Sequence, residues 1–147
     1  MGCAIAGPGP TGDGLVVASV TVLAVDDQAT FRRAARSLIG AIPEFEQIGE
    51  AASGREALEL AEILHPDLVL LDVRMPDMDG IETARQLAKV DPDAVVILIS
   101  MEEVPELPAD ASRVGAAAYL RKQELSPRRL RELWSVCGPA PGTSGAG

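Results

Sequence analysis

The sequence predicts an α/β fold, with helices covering both faces of a five-stranded parallel sheet. Three observations predict it. Short apolar runs rich in β-branched residues alternate with segments of helical periodicity. Several of those runs, such as VTVLAV at 20–25 and VVILIS at 95–100, are apolar without a polar face, as strands covered on both sides are. The polar residues that stand out, Asp26, Asp27, Asp72, Ser100 and Lys122, fall just where such runs end.

The elements follow in order. VTVLAV is the first strand. QATFRRAARSLIGAI places Phe31, Ala34, Ala35, Leu38 and Ile39 at helical spacing, and Pro43 closes that helical region. FEQIGEAA is a weaker strand whose alternation predicts a sheet edge. SGREALELAEILH is a helix with Ser53 as N-cap and Glu56 three residues on, a capping-box pattern that His65-Pro66 terminates. DLVLL is the third strand, GIETARQLAKV a helix stopped by Asp91-Pro92, and AVVILIS the fourth strand. ADASRVG is expected as a short helix between Pro108 and Gly115, displaced by the two prolines of MEEVPELPAD. AAYL is the fifth strand, and SPRRLRELWSV the last helix, with Ser126 as N-cap and Pro127 at its first position. Five strands alternating with five helices imply right-handed crossovers and a flavodoxin-like, doubly wound sheet of order 2-1-3-4-5. Its site belongs at the carboxyl ends of the strands.

Length and composition bound what such a domain does. The 147 residues suffice for one domain, expected over 20–137, with Gly/Pro/Ser-rich flexible segments at 1–19 and 138–147. Aromatics are 3%, so the core rests on Val, Leu, Ile and Ala. A net charge of −9 argues against a nucleic-acid surface, because phosphate contacts need clustered Lys and Arg. Cys3 and Cys137 stand far apart with no CxxC or Cys/His cluster, which argues against zinc and disulfides and for a reducing cytoplasm. The start lacks a secretory pattern. MGCAIA has Ala6 where myristoylation favours Ser or Thr, and the apolar run at 15–25 is too short to span a bilayer.

The stretch LVLLDVRMPDMDG at 68–80 carries the chemistry. A buried strand that ends on an aspartate is costly unless the charge is used. Asp26, Asp27 and Asp72 at neighbouring strand ends repel one another, and at least one pKa should rise. A divalent cation resolves the repulsion. Oxygen ligands with room for waters favour Mg2+ over calcium or a softer metal.

With VLAVDD, LVLLDVRMPDMDG, VVILIS and GAAAYLRK in this order and spacing, residues 20–137 resemble the receiver domain of two-component response regulators, the CheY-like fold. The stretch from Pro43 to Pro76 looks most like receivers of the NarL type, which usually precede a DNA-binding domain; this chain stops after the last helix, which leaves two arrangements, a stand-alone receiver or the receiver fragment of a NarL-type transcriptional regulator. The resemblance implies a phosphorylation switch. Asp72 is the phosphoryl acceptor from a sensor histidine kinase or phosphotransfer protein. Asp26, Asp27, Asp72 and the backbone carbonyl of Arg74 hold Mg2+. Ser100 and Lys122 contact the phosphoryl oxygens, and Ser100 with Tyr119 forms the switch that signals to a downstream protein target. Met75, Pro76 and Gly80 shape the loop. The implied domain is not an enzyme, binds neither membrane nor nucleic acid directly, and acts as a monomer or homodimer.

The sequence departs from the pattern in three places. Met101 stands where the family usually has a small residue and is expected to narrow access to Asp72. Gln123 follows Lys122 where many receivers have a cis proline, which leaves that isomer open. Arg74 and Glu102, each two residues beyond a site residue, are expected to bridge the mouth and modulate hydrolysis. Bland readings accompany the set: Asp77 and Asp79 as loop and N-cap acids, His65 as a surface cap, Trp134 packing the last helix on the sheet. The rivals are an aspartate-nucleophile phosphatase, which wants an acid where Gln28 stands, and a degenerate receiver that acts as a phosphorylation-independent interaction module. Flavin binding is disfavoured, because no phosphate loop follows the first strand.

Overall fold

A computed structural model describes residues 19–75, 78–101 and 116–138. The elements run β1 (Val20–Val25), α1 (Ala29–Gly40), β2 (Phe45–Ala51), α2 (Gly54–Leu64), β3 (Leu68–Asp72), α3 (Gly80–Val90), β4 (Val95–Ser100), β5 (Ala116–Arg121), a 3-10 turn (Lys122–Glu124) and α4 (Pro127–Cys137). The sheet has five strands in the order β2-β1-β3-β4-β5, and every pairing is parallel. This is the expected order, and FEQIGEAA forms its edge. Four α-helices are found among the described residues against the five expected; the helix expected at 109–115 lies outside them. The expected tails, 1–19 and 138–147, lie outside the described residues except for Ser19 and Gly138, as do Pro76 and Asp77.

Successive strand residues point to opposite faces, so a sheet covered on both sides needs apolar residues at every position. Leu23, Val25, Val69, Leu71, Val96 and Leu98 pack on one face with Ala57 and Ala61 of α2 and Ala84 and Leu87 of α3. Val22, Ala24, Leu68, Leu70, Ile97 and Ile99 pack on the other with Ala35 and Ile39 of α1 and Leu130 of α4. Small alanines let the helices lie close to the sheet. Phe45 and Trp134 meet edge to face at 6.3 Å and 80°, so Trp134 does hold α4 against the sheet.

The helix ends follow their local chemistry. Ser53, Asp79 and Ser126 each accept a hydrogen bond from the backbone N–H three residues on, at 3.1, 2.8 and 3.1 Å. Glu56 reaches back to the N–H of Ala52 at 2.8 Å. His65 ends α2 in the left-handed region, φ 48°, as an exposed C-cap. The edge strand carries one irregularity: Val22 pairs with Gln47 and Leu23 with Gly49, so Ile48 is a bulge. No described peptide bond is cis, Lys122–Gln123 included.

Candidate functional site

Because all five strands are parallel, their carboxyl ends share one edge of the sheet. Register makes them flush: Val25 lies beside Leu71, Asp72 beside Ile99, and Ser100 beside Arg121. Asp26, Asp72, Ser100 and Lys122 therefore come together from four strand ends. Backbone bonds brace the edge, with Asp26 N–H donating to Ala51 at 3.0 Å and Val73 N–H to Ile99 at 2.9 Å.

Gly80 holds the loop after β3 against the strand. Its N–H donates to the Val73 carbonyl at 2.7 Å, and a Cβ there would lie 2.3 Å from the Asp72 carbonyl oxygen. Only glycine fits that approach. Buried Met75 anchors the same loop from the apolar side.

Asp26 is fully buried. Its Oδ1 accepts the Gln28 N–H at 2.8 Å, and its Oδ2 faces the Lys122 ammonium at 2.6 Å. The same ammonium stands 4.0 Å from Asp72 Oδ1 and 4.4 Å from the centroid of the Phe31 ring. One oxygen from each of Asp26, Asp27 and Asp72 lies within 4.8 Å of the others, with Asp27 exposed. Burial first, and the Asp26 charge next, push the Asp72 carboxyl up to about 6. Lys122 opposes the rise, Asp27 adds to it, and the Arg74 N–H bonded to the carboxylate opposes it again. The expected rise thus falls on Asp72.

A cleft of about 310 Å³ opens over these groups, lined by Asp27, Gln28, Asp72, Arg74, Ser100, Met101 and Lys122. Ser100 is buried at its wall. Met101, 62% exposed, stands on the rim. Tyr119 is half-buried against the core on the α2–α3 side, opposite Leu98 and two residues short of the row of Ser100. Glu102, the expected partner of Arg74 across the mouth, lies outside the described residues. Phe31 beneath Lys122 was not foreseen. Its helical spacing marks it as a core residue, and only its place in the first turn after Asp26-Asp27 hints at the site.

Three converging carboxylates, one pushed toward neutrality by burial and by its neighbours, and no Cys or His among them, fit a hard divalent cation. The lysine adds a fixed positive charge on one side. Such a mouth suits a small anion bound beside a cation.

Comparison with known proteins decides the family. The response regulator receiver domain model matches residues 22–134. The chain belongs to that family. A protein-glutamate methylesterase/protein-glutamine glutaminase 2 of Photobacterium profundum is 41% identical over 115 residues, 78% of this chain and 29% of that protein. The nitrate/nitrite response regulator NarL of Escherichia coli K12 is 36% identical over 110 residues, 75% of this chain and 50% of NarL. The chain thus spans half or less of the length of these relatives. Among solved structures, the CheX–CheY–BeF3–Mg complex of Borrelia burgdorferi matches with a TM-score of 0.72 and 30% identity, over 81% of this chain and 90% of that one. This receiver domain has the CheY-like fold, and no described helix is long and apolar enough to cross a membrane.

Proposed function

We propose that this receiver domain takes a phosphoryl group on Asp72, from a sensor histidine kinase or phosphotransfer protein, and passes the signal to a downstream protein in the cytoplasm. The observation that carries the reading is the convergence of the Asp26, Asp27 and Asp72 oxygens within 4.8 Å, with the Lys122 ammonium 4.0 Å from Asp72. Asp26, Asp27, Asp72 and the Arg74 carbonyl hold Mg2+, which when bound neutralises charge on the phosphoryl oxygens. The BeF3 and Mg of the Borrelia complex support the assignment by analogy.

The chain's own groups do the rest. Phosphoryl transfer is catalysed mainly by positioning and charge neutralisation. Asp72 supplies the attacking carboxylate oxygen, steadied by the Arg74 N–H. Lys122 balances the opposite side, and the Ser100 hydroxyl, at the cleft wall, donates to a phosphoryl oxygen. Movement of Ser100 toward that oxygen opens space that Tyr119 fills, and this repacking is the switch. The domain acts here as a switch rather than an enzyme; the methylesterase name belongs to a relative of which this chain spans 29%.

Incubation with acetyl phosphate and Mg2+, followed by intact-mass measurement, tests this. One phosphoryl mass is expected in the wild type and none in Asp72→Asn. Absence of the adduct, or its persistence in that variant, sinks the reading. Steady turnover of phosphoesters supports the phosphatase instead.

A further inference from the structure

Beside the mouth runs a second cavity of about 480 Å³, walled by Phe31, Ala34 and Leu38 of α1 and by Leu125. That volume lies in the range of roughly 300–1,000 Å³ typical of small-molecule pockets, and the walls are predominantly apolar, as theirs are. The two cavities adjoin, with Gln28, Met101 and Lys122 lining both. Met101 is one of few large apolar side chains left exposed among the described residues, and it stands where the anionic mouth meets the apolar groove. The Lys122 ammonium marks the same junction, above the Phe31 ring. A molecule that uses both cavities has a small anionic head at Asp72 and an apolar tail along α1.

The chemistry of the mouth narrows the class. A phosphorylated aspartate is a mixed anhydride, so a donor that forms it needs comparable transfer potential. Acyl phosphates have it and join a phosphoryl head to a carbon tail. We propose that the groove is the tail subsite for an acyl phosphate with an aromatic or branched acyl group, and that Phe31, Ala34 and Met101 set the preference. The proposal rests on Asp72 being the phosphoryl acceptor. In the step, an Asp72 carboxylate oxygen bonds to phosphorus as the bond between phosphorus and the acyl oxygen breaks. The departing carboxylate keeps that electron pair, and no proton or redox equivalent changes hands.

Initial rates of Asp72 labelling are measured by intact mass with acetyl phosphate and with benzoyl phosphate, at equal Mg2+. Each is divided by the donor's rate of spontaneous hydrolysis at the same pH, which breaks the same bond between phosphorus and the acyl oxygen, to remove intrinsic reactivity. Benzoyl phosphate is expected to be preferred about tenfold, which requires only about 55 Å² of tail surface removed from water at about 25 cal/mol per Å². The preference should fall toward one in Ala34→Trp, which fills the groove from an exposed helix position, and fall in Met101→Gln. Equal normalised rates, or a preference that survives both substitutions, overturn the tail subsite alone and leave the groove to a protein partner. Failure of both donors to label overturns the acceptor role of Asp72, and the subsite with it.

Discussion

Lys122 stands between two carboxylates that it serves unequally, 2.6 Å from Asp26 and 4.0 Å from Asp72. The distances differ by a factor of about 1.5, so phosphorylation, which takes the Asp72 side chain from one negative charge to about two, is enough to reverse the balance. That competition was not legible in the sequence. The motif supplies the residue types, whereas the order of distances depends on how the 3-10 turn leaves β5. Met101 shows the same limit: its bulk was legible, but whether it closes the mouth or flanks it depends on a rotamer. A second raised carboxyl, besides Asp72, contributes to the pH dependence. Asp91 caps α3, is 8% exposed, and has an Oδ2 with no hydrogen-bond partner. Burial raises its pKa; the nearby His65 charge opposes the rise, and Asp93 and Asp67 add to it. A carboxyl raised in this way favours the fold below its unfolded pKa of about 4 and loses that contribution as pH rises through its folded value. Asp91→Asn is therefore expected to raise the urea midpoint at pH 7 and to give no gain at pH 3. An equal shift at both values refutes the assignment.

At the scale of elements, the loop between β3 and α3 depends on close approach of backbones. Gly80→Ala would drive a methyl group into the Asp72 carbonyl and the Val73 Cα, 2.3 and 2.7 Å away. Backbone cannot yield as a side-chain tip does. The variant is expected to lose on the order of 1–3 kcal/mol of stability and to bind Mg2+ several-fold more weakly, as read by urea melts and by magnesium titration. Unchanged magnesium affinity in a folded variant would show that the loop does not position the acids. The elements themselves were largely legible, because continuous apolar runs and capping residues are local signals. Ser53, Asp79 and Ser126 mark their helix starts, and GIETARQLAKV matches α3 residue for residue. The bulge at Ile48 went unread, although Gly49 beside it is the kind of strand-interior glycine that marks one.

Over the whole molecule, one sheet gathers every acid of the site at one edge and leaves the chain with a net charge of −9. A divalent cation is attracted by the field as well as by its ligands, and salt screens the former. Magnesium at about 100 times its dissociation constant is expected to stabilise the domain by about 2.7 kcal/mol. The gain should shrink between low and high ionic strength and vanish in Asp26→Asn. Thermal melts with and without a chelator measure it, and a shift retained in that variant places the ion elsewhere. The order 2-1-3-4-5 was legible because alternation of strands and helices allows few right-handed windings. The groove along α1 was not, because it is made by the spacing between a helix and the turn that follows a distant strand.

The bulge at Ile48 has a consequence for how copies of the chain behave when crowded. β2 is the outermost strand on its side of the sheet, and an outermost strand with evenly spaced amides and carbonyls is a template onto which a foreign strand zips. Ile48 throws that spacing out by one residue midway, so no straight segment longer than a few residues finds matching partners there. The interruption is thus a guard against fibril seeding, built into one of the two outer strands of the sheet.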